Sequence, residues 1–383
     1  MTFPLALLQA WHELDFNLGS PEDMEAFPWS GPVAMVILLL LGFLLWKGRR
    51  NYLALPELPV IKNAPPADVT VVIPARNEEA SIRQCVLGFP NVRVLVVDDD
   101  SSDQTAAVAS AAGAEVIAAP ELPKGAMGKP NAMAAGEKLA TTAYVFFTEA
   151  RARFQPEFLP LAAGYAEKHQ CVLLSAFLKQ DCKTWLEKML IPYAFGLYFT
   201  GVNASRLQNV LAAETLAYGP CMLFQRSAYE FFGGYPSVQT SQIEDIAIAQ
   251  KVKRHRMKIS IMRAERLGAV RMYDSLASLR RGLRRRAWRF LGLNRSGGWQ
   301  VMLTSLLLLS IGPFALWLIR QQQWHFLAVF LMAPPLFFKP WYGSYARALL
   351  FYLPAIYVFQ ILALEGIAAG ILGLRTSWKG RSV

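Results

Sequence analysis

Two short runs, VTVVIP at residues 69–74 and VRVLVV at 92–97, are almost wholly apolar and rich in β-branched residues. Strands buried on both faces need such runs, and sheets covered on both faces are built from parallel strands with helices between them. The intervening ARNEEASIRQCVLGF has helical spacing, with Asn and Glu near its start as capping and dipole partners. After the second run, SDQTAAVASAAG gives another helix closed by Gly113, and AEVIAA a third strand. The alternation β-α-β-α-β predicts an α/β fold with a doubly wound sheet, whose ligand site lies at the carboxyl ends of the strands.

The second run ends in Asp98, Asp99 and Asp100, with Asp103 close behind. Carboxylates at a strand end accept hydrogen bonds from a nucleobase or a ribose, and hold a hard divalent cation against a diphosphate. They also suit a solvated turn in which Asp103 caps the next helix. No GxGxxG follows the first strand and no GxxxxGK[ST] occurs in the chain, so dinucleotide binding and P-loop phosphate transfer lose support.

Hydrophobic residues make up 54% of the 383, which points to a membrane protein. The window 27–46 carries no charge and is long enough for one crossing. Before it stand Glu13, Asp15, Glu22, Asp23 and Glu25 with no Lys or Arg, so it reads as an anchor and not a cleaved leader. Lys47, Arg49 and Arg50 follow it, which puts residues 1–26 outside and the chemistry in the cytoplasm. Three further apolar stretches cover 299–319, 324–338 and 348–374. The middle one is short and contains Pro334 and Pro335, which suits a re-entrant or interfacial segment better than a crossing. Glu365 inside the last stretch is expected near a helix end, facing protein or water. Cys85, Cys171, Cys182 and Cys221 form no CxxC pair and have no His at zinc-ligand spacing, and read as reduced core residues.

Five segments, VVIPARNEE, VVDDDSSDQT, GKPNAM, GPCMLFQRSAYEFFGGY and IED, occur in the order and at about the spacing of family-2 glycosyltransferases with the GT-A fold. The resemblance covers roughly residues 69–290. It is nearest to the membrane-bound members that glycosylate lipids: the 4,4′-diaponeurosporenoate (carotenoid), hopanoid-associated and ceramide glycosyltransferases. VRMYDS at 270–275 and the terminal WKGR also resemble that group. The resemblance implies a UDP-sugar donor. It implies that Pro74, Asn77 and Glu78 form the loop after the first strand, that Asp98 and Asp99 contact uracil and ribose, and that Lys129 and Asn131 contact the donor. A Lys beside Gly128 is physically suited to close approach to a diphosphate.

YVFFTEARARF at 144–154 departs from the family, which has Asp-x-Asp at this strand end to bind Mg²⁺ or Mn²⁺. Here Glu149 stands first and Arg151 second. In one reading Glu149 reaches the metal through its longer arm and Arg151 contacts a phosphate, so that a guanidinium replaces a ligand and the metal becomes weakly needed. In the other the metal site is lost and the enzyme is slow, metal-independent or inactive.

In the resemblance, the general base corresponds to Asp245, preceded by Glu244 at the start of an amphipathic helix, and Gly219, Pro220 and Cys221 through Met222 line the acceptor side. Glu-Asp at a helix start is also plain capping, since anions are favoured there. Polysaccharide synthases carry QxxRW near residue 288; this chain has Trp288 with a displaced Arg. That mismatch speaks against a processive synthase and leaves Trp288 as an acceptor-side candidate.

Between residues 251 and 295 stand 15 Lys and Arg against Glu265 and Asp274, an excess larger than the net +11 of the whole chain. Leu276, Leu279, Leu283, Ala287 and Phe290 share one helical face, with Arg280, Arg281, Arg284, Arg285 and Arg289 mostly off it. This predicts an amphipathic interfacial helix on an anionic leaflet; no nucleic-acid module accompanies the basic stretch. WLEKMLIPYAFGLYF at 185–199 reads equally as a second interfacial helix or a core helix.

The expected organisation is an extracytoplasmic segment 1–26, a transmembrane helix 27–46, a linker 47–67, a GT-A catalytic domain 68–268, a basic interfacial region 269–296, a C-terminal membrane region 297–374 and a tail 375–383. The expected function is inverting transfer of a hexose from a UDP-sugar to a carotenoid, hopanoid or similar lipid at the cytoplasmic face of the plasma (inner) membrane. The alternatives are a polyprenyl-phosphate glycosyltransferase and a GT-A membrane scaffold that has lost its chemistry.

Overall fold

The computed structural model of the chain describes residues 30–61, 66–212, 214–241, 243–293, 295–374, 377–378 and 381–382; at 30–31, 285–293, 295–296, 377–378 and 381–382 it describes the backbone alone. The expected extracytoplasmic segment and most of the tail lie outside the described residues.

Helix α1 (Ser30–Leu53) is followed by β1 (Val69–Ala75), α2 (Glu79–Val86), β2 (Arg93–Asp98), α3 (Thr105–Ala111), β3 (Glu115–Ala118), α4 (Gly128–Glu137) and β4 (Tyr144–Thr148), the alternation read from the sequence. Then come β5 (Ala152–Phe154), α5 (Phe158–His169), β6 (Leu173–Phe177), β7 (Lys179–Gln180), α6 (Trp185–Thr200), α7 (Ala204–Gln208), β8 (Cys221–Gln225), α8 (Arg226–Phe231), α9 (Glu244–Arg254), β9 (Ile259–Arg263) and β10 (Gly268–Val270). The described chain continues through α10 (Leu276–Leu293), α11 (Arg295–Leu309), α12 (Ile311–Arg320), α13 (Trp324–Tyr342) and α14 (Tyr352–Ile371).

Among the described residues the main sheet has seven strands in the order β3-β2-β1-β4-β8-β6-β9. Strands β3, β2, β1 and β4 pair in parallel, whereas β8 runs antiparallel to β4 and β6. The reversal matters for the site. Because β8 enters where β4 leaves, Cys221 pairs with Thr148, and the residues just before β8 stand beside those just after β4. The inner strands are buried as their apolar runs require: Val71, Val72, Leu95, Val96, Phe146 and Phe147 are fully inside. Each such side chain contributes about 1.5 to 3 kcal/mol on burial. Helix α4 lies unusually close to this layer, since a Cβ on Gly136 would stand 2.5 Å from Val72 Cγ1 and 2.9 Å from Val97 Cγ2. A glycine there lets the helix settle on the sheet and aim its first turn at the strand ends.

Helix α6, which the sequence leaves between two readings, is a plate between the sheet and the apolar helices. A capping box of Thr184 and Glu187 starts it. Phe199 packs on Tyr52 and Phe177, while Tyr193 sits between Phe338 and Phe359. Tyr342 Oη donates to the Met189 carbonyl at 2.7 Å, and Gln360 Nε2 donates to Tyr193 Oη at 3.0 Å.

Among the described residues three helical segments are long and apolar enough to cross a membrane: Pro32–Leu53, Gly297–Arg320 and Trp324–Ile371. The last joins the two final apolar stretches of the sequence through a 3-10 segment, Gly343–Phe351. Glu365 is gripped by α10: Arg280 Nε donates to its Oε2 at 2.6 Å and Nη2 to its Oε1 at 2.7 Å. The carboxylate thus faces protein near a helix end, as expected.

Candidate active site

At the end of β2 the three aspartates are held in different ways. Asp98 Oδ2 accepts from the Ser101 amide at 3.2 Å, while its Oδ1 is buried with no hydrogen-bond partner. A buried carboxylate oxygen without a donor is costly and points to one supplied from elsewhere. Asp99 is buried, its amide donating to the Ala75 carbonyl at 2.8 Å and its carbonyl accepting from Arg76. Asp103 caps α3 through the Thr105 amide at 3.0 Å and also accepts from the Glu79 amide at 3.2 Å. Burial works against its ionised form, but the hydrogen bonds from Thr105 and Glu79 prevail and hold the carboxyl below its ordinary range.

The loop after β1 is laced to that after β2. Pro74, half-buried, pairs with Val97 across the strands. Asn77 takes a left-handed backbone and accepts from the Ser102 amide at 2.8 Å. Asn tolerates this conformation better than most residues. The Glu78 amide donates to Thr105 Oγ1 at 2.7 Å, and its carboxylate turns toward β4.

There it meets Arg151, whose Nε lies 3.0 Å from Glu78 Oε2 and whose Nη1 lies 2.9 Å from Asp274 Oδ2. Glu149, immediately after β4, accepts from Lys129 Nζ at 2.7 Å. The same ammonium reaches Glu244 Oε1 at 2.8 Å. Lys129 comes from the first turn of α4 and Glu244 opens α9, so three elements converge on one nitrogen. Asn131, one helical step on, is buried and donates to the Pro120 carbonyl at 3.0 Å, tying α4 to the loop after β3.

The residues before β8 complete the cluster. The Gly219 amide donates to Asp245 Oδ2 at 3.2 Å, and Thr148 Oγ1 donates to the Pro220 carbonyl at 2.7 Å. A Cβ at Gly219 would lie 3.2 Å from Asp245 Oδ2, 3.2 Å from Lys129 Nζ and 3.6 Å from Glu149 Oε1. The glycine therefore lets a carboxylate and an ammonium close on the backbone before β8, where a side chain would be crowded. Cys221 is buried, and burial pushes its thiol up to about 12, which makes it an inert wall and not a nucleophile. The Trp288 side chain lies outside the described residues.

The structure thus gathers Glu78, Lys129, Glu149, Arg151, Gly219, Glu244 and Asp245 at one edge, with Asp98 and Asp99 two strands away across β1. The sequence reading missed two supports. Asp274 answers Arg151 across 123 positions, and the signal was the guanidinium itself, which needs an acid. Lys253 is buried in α9 and donates to the carbonyls of Arg206, Asn209, Ala212 and Glu214, fixing the segment that leads to Gly219. Burial lowers its pKa to about 8.

This donor set does not match a divalent cation. Hard cations take six or more oxygens, several from carboxylates. Here the second carboxylate position holds a guanidinium paired to two acids, and Glu149 is bonded to an ammonium. Among the described residues no three His, Cys, Asp or Glu side chains converge on a point that could hold a metal.

An α/β sheet with acids at its carboxyl edge and a reversed strand closing one side is the frame of a GT-A-type group transferase. Among solved structures, a mannosyltransferase from Pyrobaculum calidifontis, in complex with GDP-Man and Mn²⁺, shares the fold with a TM-score of 0.55 at 16% identity, covering 88% of this chain and 99% of that one. Residues 70–232 match the family model Glycosyl transferase family 2, and the chain carries a domain of that family. It is similar to the 4,4′-diaponeurosporenoate glycosyltransferases of Staphylococcus haemolyticus (strain JCSC1435), 24% identical over 215 residues, and Staphylococcus aureus (strain MRSA252), 27% identical over 222. Those matches cover 54% and 56% of this chain, which spans only 57% and 59% of the length of these relatives.

Proposed function

We propose that the protein moves a hexose from a UDP-sugar to a hydroxyl or carboxylate borne by a membrane lipid, with inversion at the anomeric carbon, on the cytoplasmic face of the membrane. The observation that carries this reading is the convergence of Asp245 Oδ2 and Lys129 Nζ on the backbone at Gly219. An acceptor hydroxyl placed there gives its proton to Asp245 as its oxygen attacks the sugar from the side opposite the diphosphate. The Gly219 amide, hydrogen-bonded to that carboxylate, fixes its orientation. Asp98, with its unpartnered Oδ1, and Asp99 receive the N–H and O–H groups of uracil and ribose. Lys129 and Asn131 border the diphosphate, with Arg151 beside it holding the loop of Pro74, Asn77 and Glu78. Pro220, Cys221 and Trp288 belong to the acceptor side.

The domain assignments follow the same reading: residues 68–268 as the catalytic unit, 269–296 as a basic strip on the anionic leaflet, and the apolar helices as membrane spans. Plate α6 supports the lipid acceptor, because it packs on the apolar helices while its Tyr198, kept protonated by burial and by the nearby Asp245 carboxylate, reaches toward the proposed base. The reading accords with the names of the Staphylococcus relatives.

The test is UDP release by purified protein in detergent and lipid, with UDP-glucose and UDP-galactose, with and without a carotenoid- or hopanoid-containing lipid extract. Release that rises with the extract supports transfer to lipid. Release that rises only with polyprenyl phosphate reassigns the acceptor, and donor binding without release under any condition identifies a scaffold.

A further inference from the structure

We propose that Lys129 is the resident cation of this centre, supplying the positive charge that a divalent metal supplies where two carboxylates stand at the end of β4. This rests on the glycosyl-transfer reading above and names what neutralises the leaving diphosphate. Four observations support it. The ammonium bridges Glu149 and Glu244 at 2.7 and 2.8 Å, so it occupies the gap between the strand-end acid and the acid beside the proposed base. Its side chain is 18% exposed, and those of its partners are 28% and 6% exposed, so the charges act in a medium that screens them poorly. Arg151 points away from the proposed base, held by Glu78 and by Asp274 at the entrance to α10, whereas Lys129 is held by Glu244 beside that base, which makes Arg151 a strap between the donor loop and the membrane-side helix. Finally, the seating of α4 on the sheet at Gly136 fixes the backbone from which Lys129 reaches, and its two carboxylate partners hold the ammonium. A fixed ammonium suits a departing diphosphate because it needs no reorganisation as charge develops.

The step balances without a further reactant. The anomeric carbon–oxygen bond to the diphosphate breaks and its electron pair leaves with UDP. The acceptor oxygen forms the new bond; a hydroxyl acceptor passes its proton to Asp245, whereas a carboxylate acceptor is already ionised and has none to pass.

The experiment has two arms. In the first, Mn²⁺ electron paramagnetic resonance is recorded on the purified full chain alone. Wild type is expected to leave Mn²⁺ in solution, while Lys129→Met, which vacates the gap between two carboxylates, is expected to bind it. Stoichiometric Mn²⁺ binding by wild type overturns the proposal. In the second, UDP release is measured after chelation. Wild type is expected to stay within about 2-fold of its untreated rate, Lys129→Met to fall about 100-fold and recover in part with Mn²⁺, and Lys129→Arg to keep a rate between them. Loss of wild-type release on chelation, restored by Mn²⁺, overturns the proposal. If no preparation binds or turns over a UDP-sugar, the glycosyl-transfer reading fails, and the resonance arm still decides whether Lys129 holds the cation position. Circular dichroism on each variant separates these outcomes from misfolding.

Discussion

The carboxyl ends of β2 and β4 stand on either side of β1 and both carry acids, yet the acids are satisfied by different means. At β2 they answer to nearby amides: Asp98 to Ser101, and Asp103 to Glu79 and Thr105. At β4 they answer to cations from distant parts of the chain: Glu149 to Lys129, and Glu78 and Asp274 to Arg151. Amide-held acids are placed by the local backbone and keep their charge for a neutral, hydrogen-bonding ligand. Cation-held acids form a network in which each cation is shared between two acids, so its partners can shift when the charge of a ligand changes during reaction. In the function proposed above, the sheet edge divides the sugar nucleotide: base and ribose fall to β2, diphosphate and acceptor to β4.

The largest effect expected from breaking this division is at the β4 side. Asp245→Asn removes the proton acceptor but keeps size and the contact to the Gly219 amide. The turnover number should fall about 10³-fold while the donor KM stays within about 2-fold. Steady-state UDP release measures both, and an active Asp245→Asn protein would falsify the assignment of the base.

Next in size is the strap that ties the β4 side to the apolar helices. Arg271 donates to both oxygens of the buried Glu187, at 2.8 and 3.0 Å. Burial disfavours the carboxylate, but Arg271, the Lys183 amide and Thr184 outweigh it and bring its pKa from 4.5 to about 2. A folded-state value below the unfolded one contributes stability above the ordinary carboxylate range, which is lost as pH falls from about 4.5 toward 2. Glu187→Gln should lower unfolding stability by about 2 kcal/mol at neutral pH, Arg271 being partly exposed. Wild type should lose melting temperature more steeply than the variant across that acid window. Parallel melting curves would show the strap to be idle.

On the β2 side the effect is smaller and of another kind. Asp98→Asn replaces an acceptor that lacks a partner with a group that also donates, and should raise donor KM about 10-fold with the turnover number nearly unchanged. A fall in turnover with constant KM would move Asp98 into the chemistry and erase the distinction between the two ends.

How much of this the sequence carried follows from the same contrast. The β2 end was legible because its determinants are local: an apolar run, three aspartates, and a cap five residues on. The alternation of β1 to β4 was legible for the same reason. Strand direction was not, since CMLFQ is an apolar run that fits either direction, and β8 enters reversed between β4 and the earlier strand β6, a long-range pairing. At β4 the sequence exposed the anomaly, a guanidinium in place of a carboxylate, but not its resolution. Asp274 is 123 positions from Arg151, and Lys129 is as plain in sequence as any loop lysine. Helix α6 was ambiguous because it is apolar on two faces, one toward the sheet and one toward the apolar helices.

The smallest expected effect tests whether Arg151 is a strap or a ligand of the donor. In a double-mutant cycle, Arg151→Ala and Asp274→Ala remove the two sides of one ion pair, and the pair's worth is the departure from additivity. Both side chains are about a third exposed, at 28% and 40%, so the coupling in unfolding free energy should be about 0.5 kcal/mol and should shrink in high salt. The same cycle read in donor KM distinguishes the roles. A strap predicts that either substitution raises KM modestly and that the double variant is no worse than Arg151→Ala. A phosphate ligand predicts that Arg151→Ala alone carries the loss, while Asp274→Ala tightens the donor by releasing the guanidinium from its acid. The geometry at Asp274, 2.9 Å from Nη1 at the start of α10, favours the first outcome. It also makes the end of β4 the place where the start of α10 and the loop after β1 are held in register.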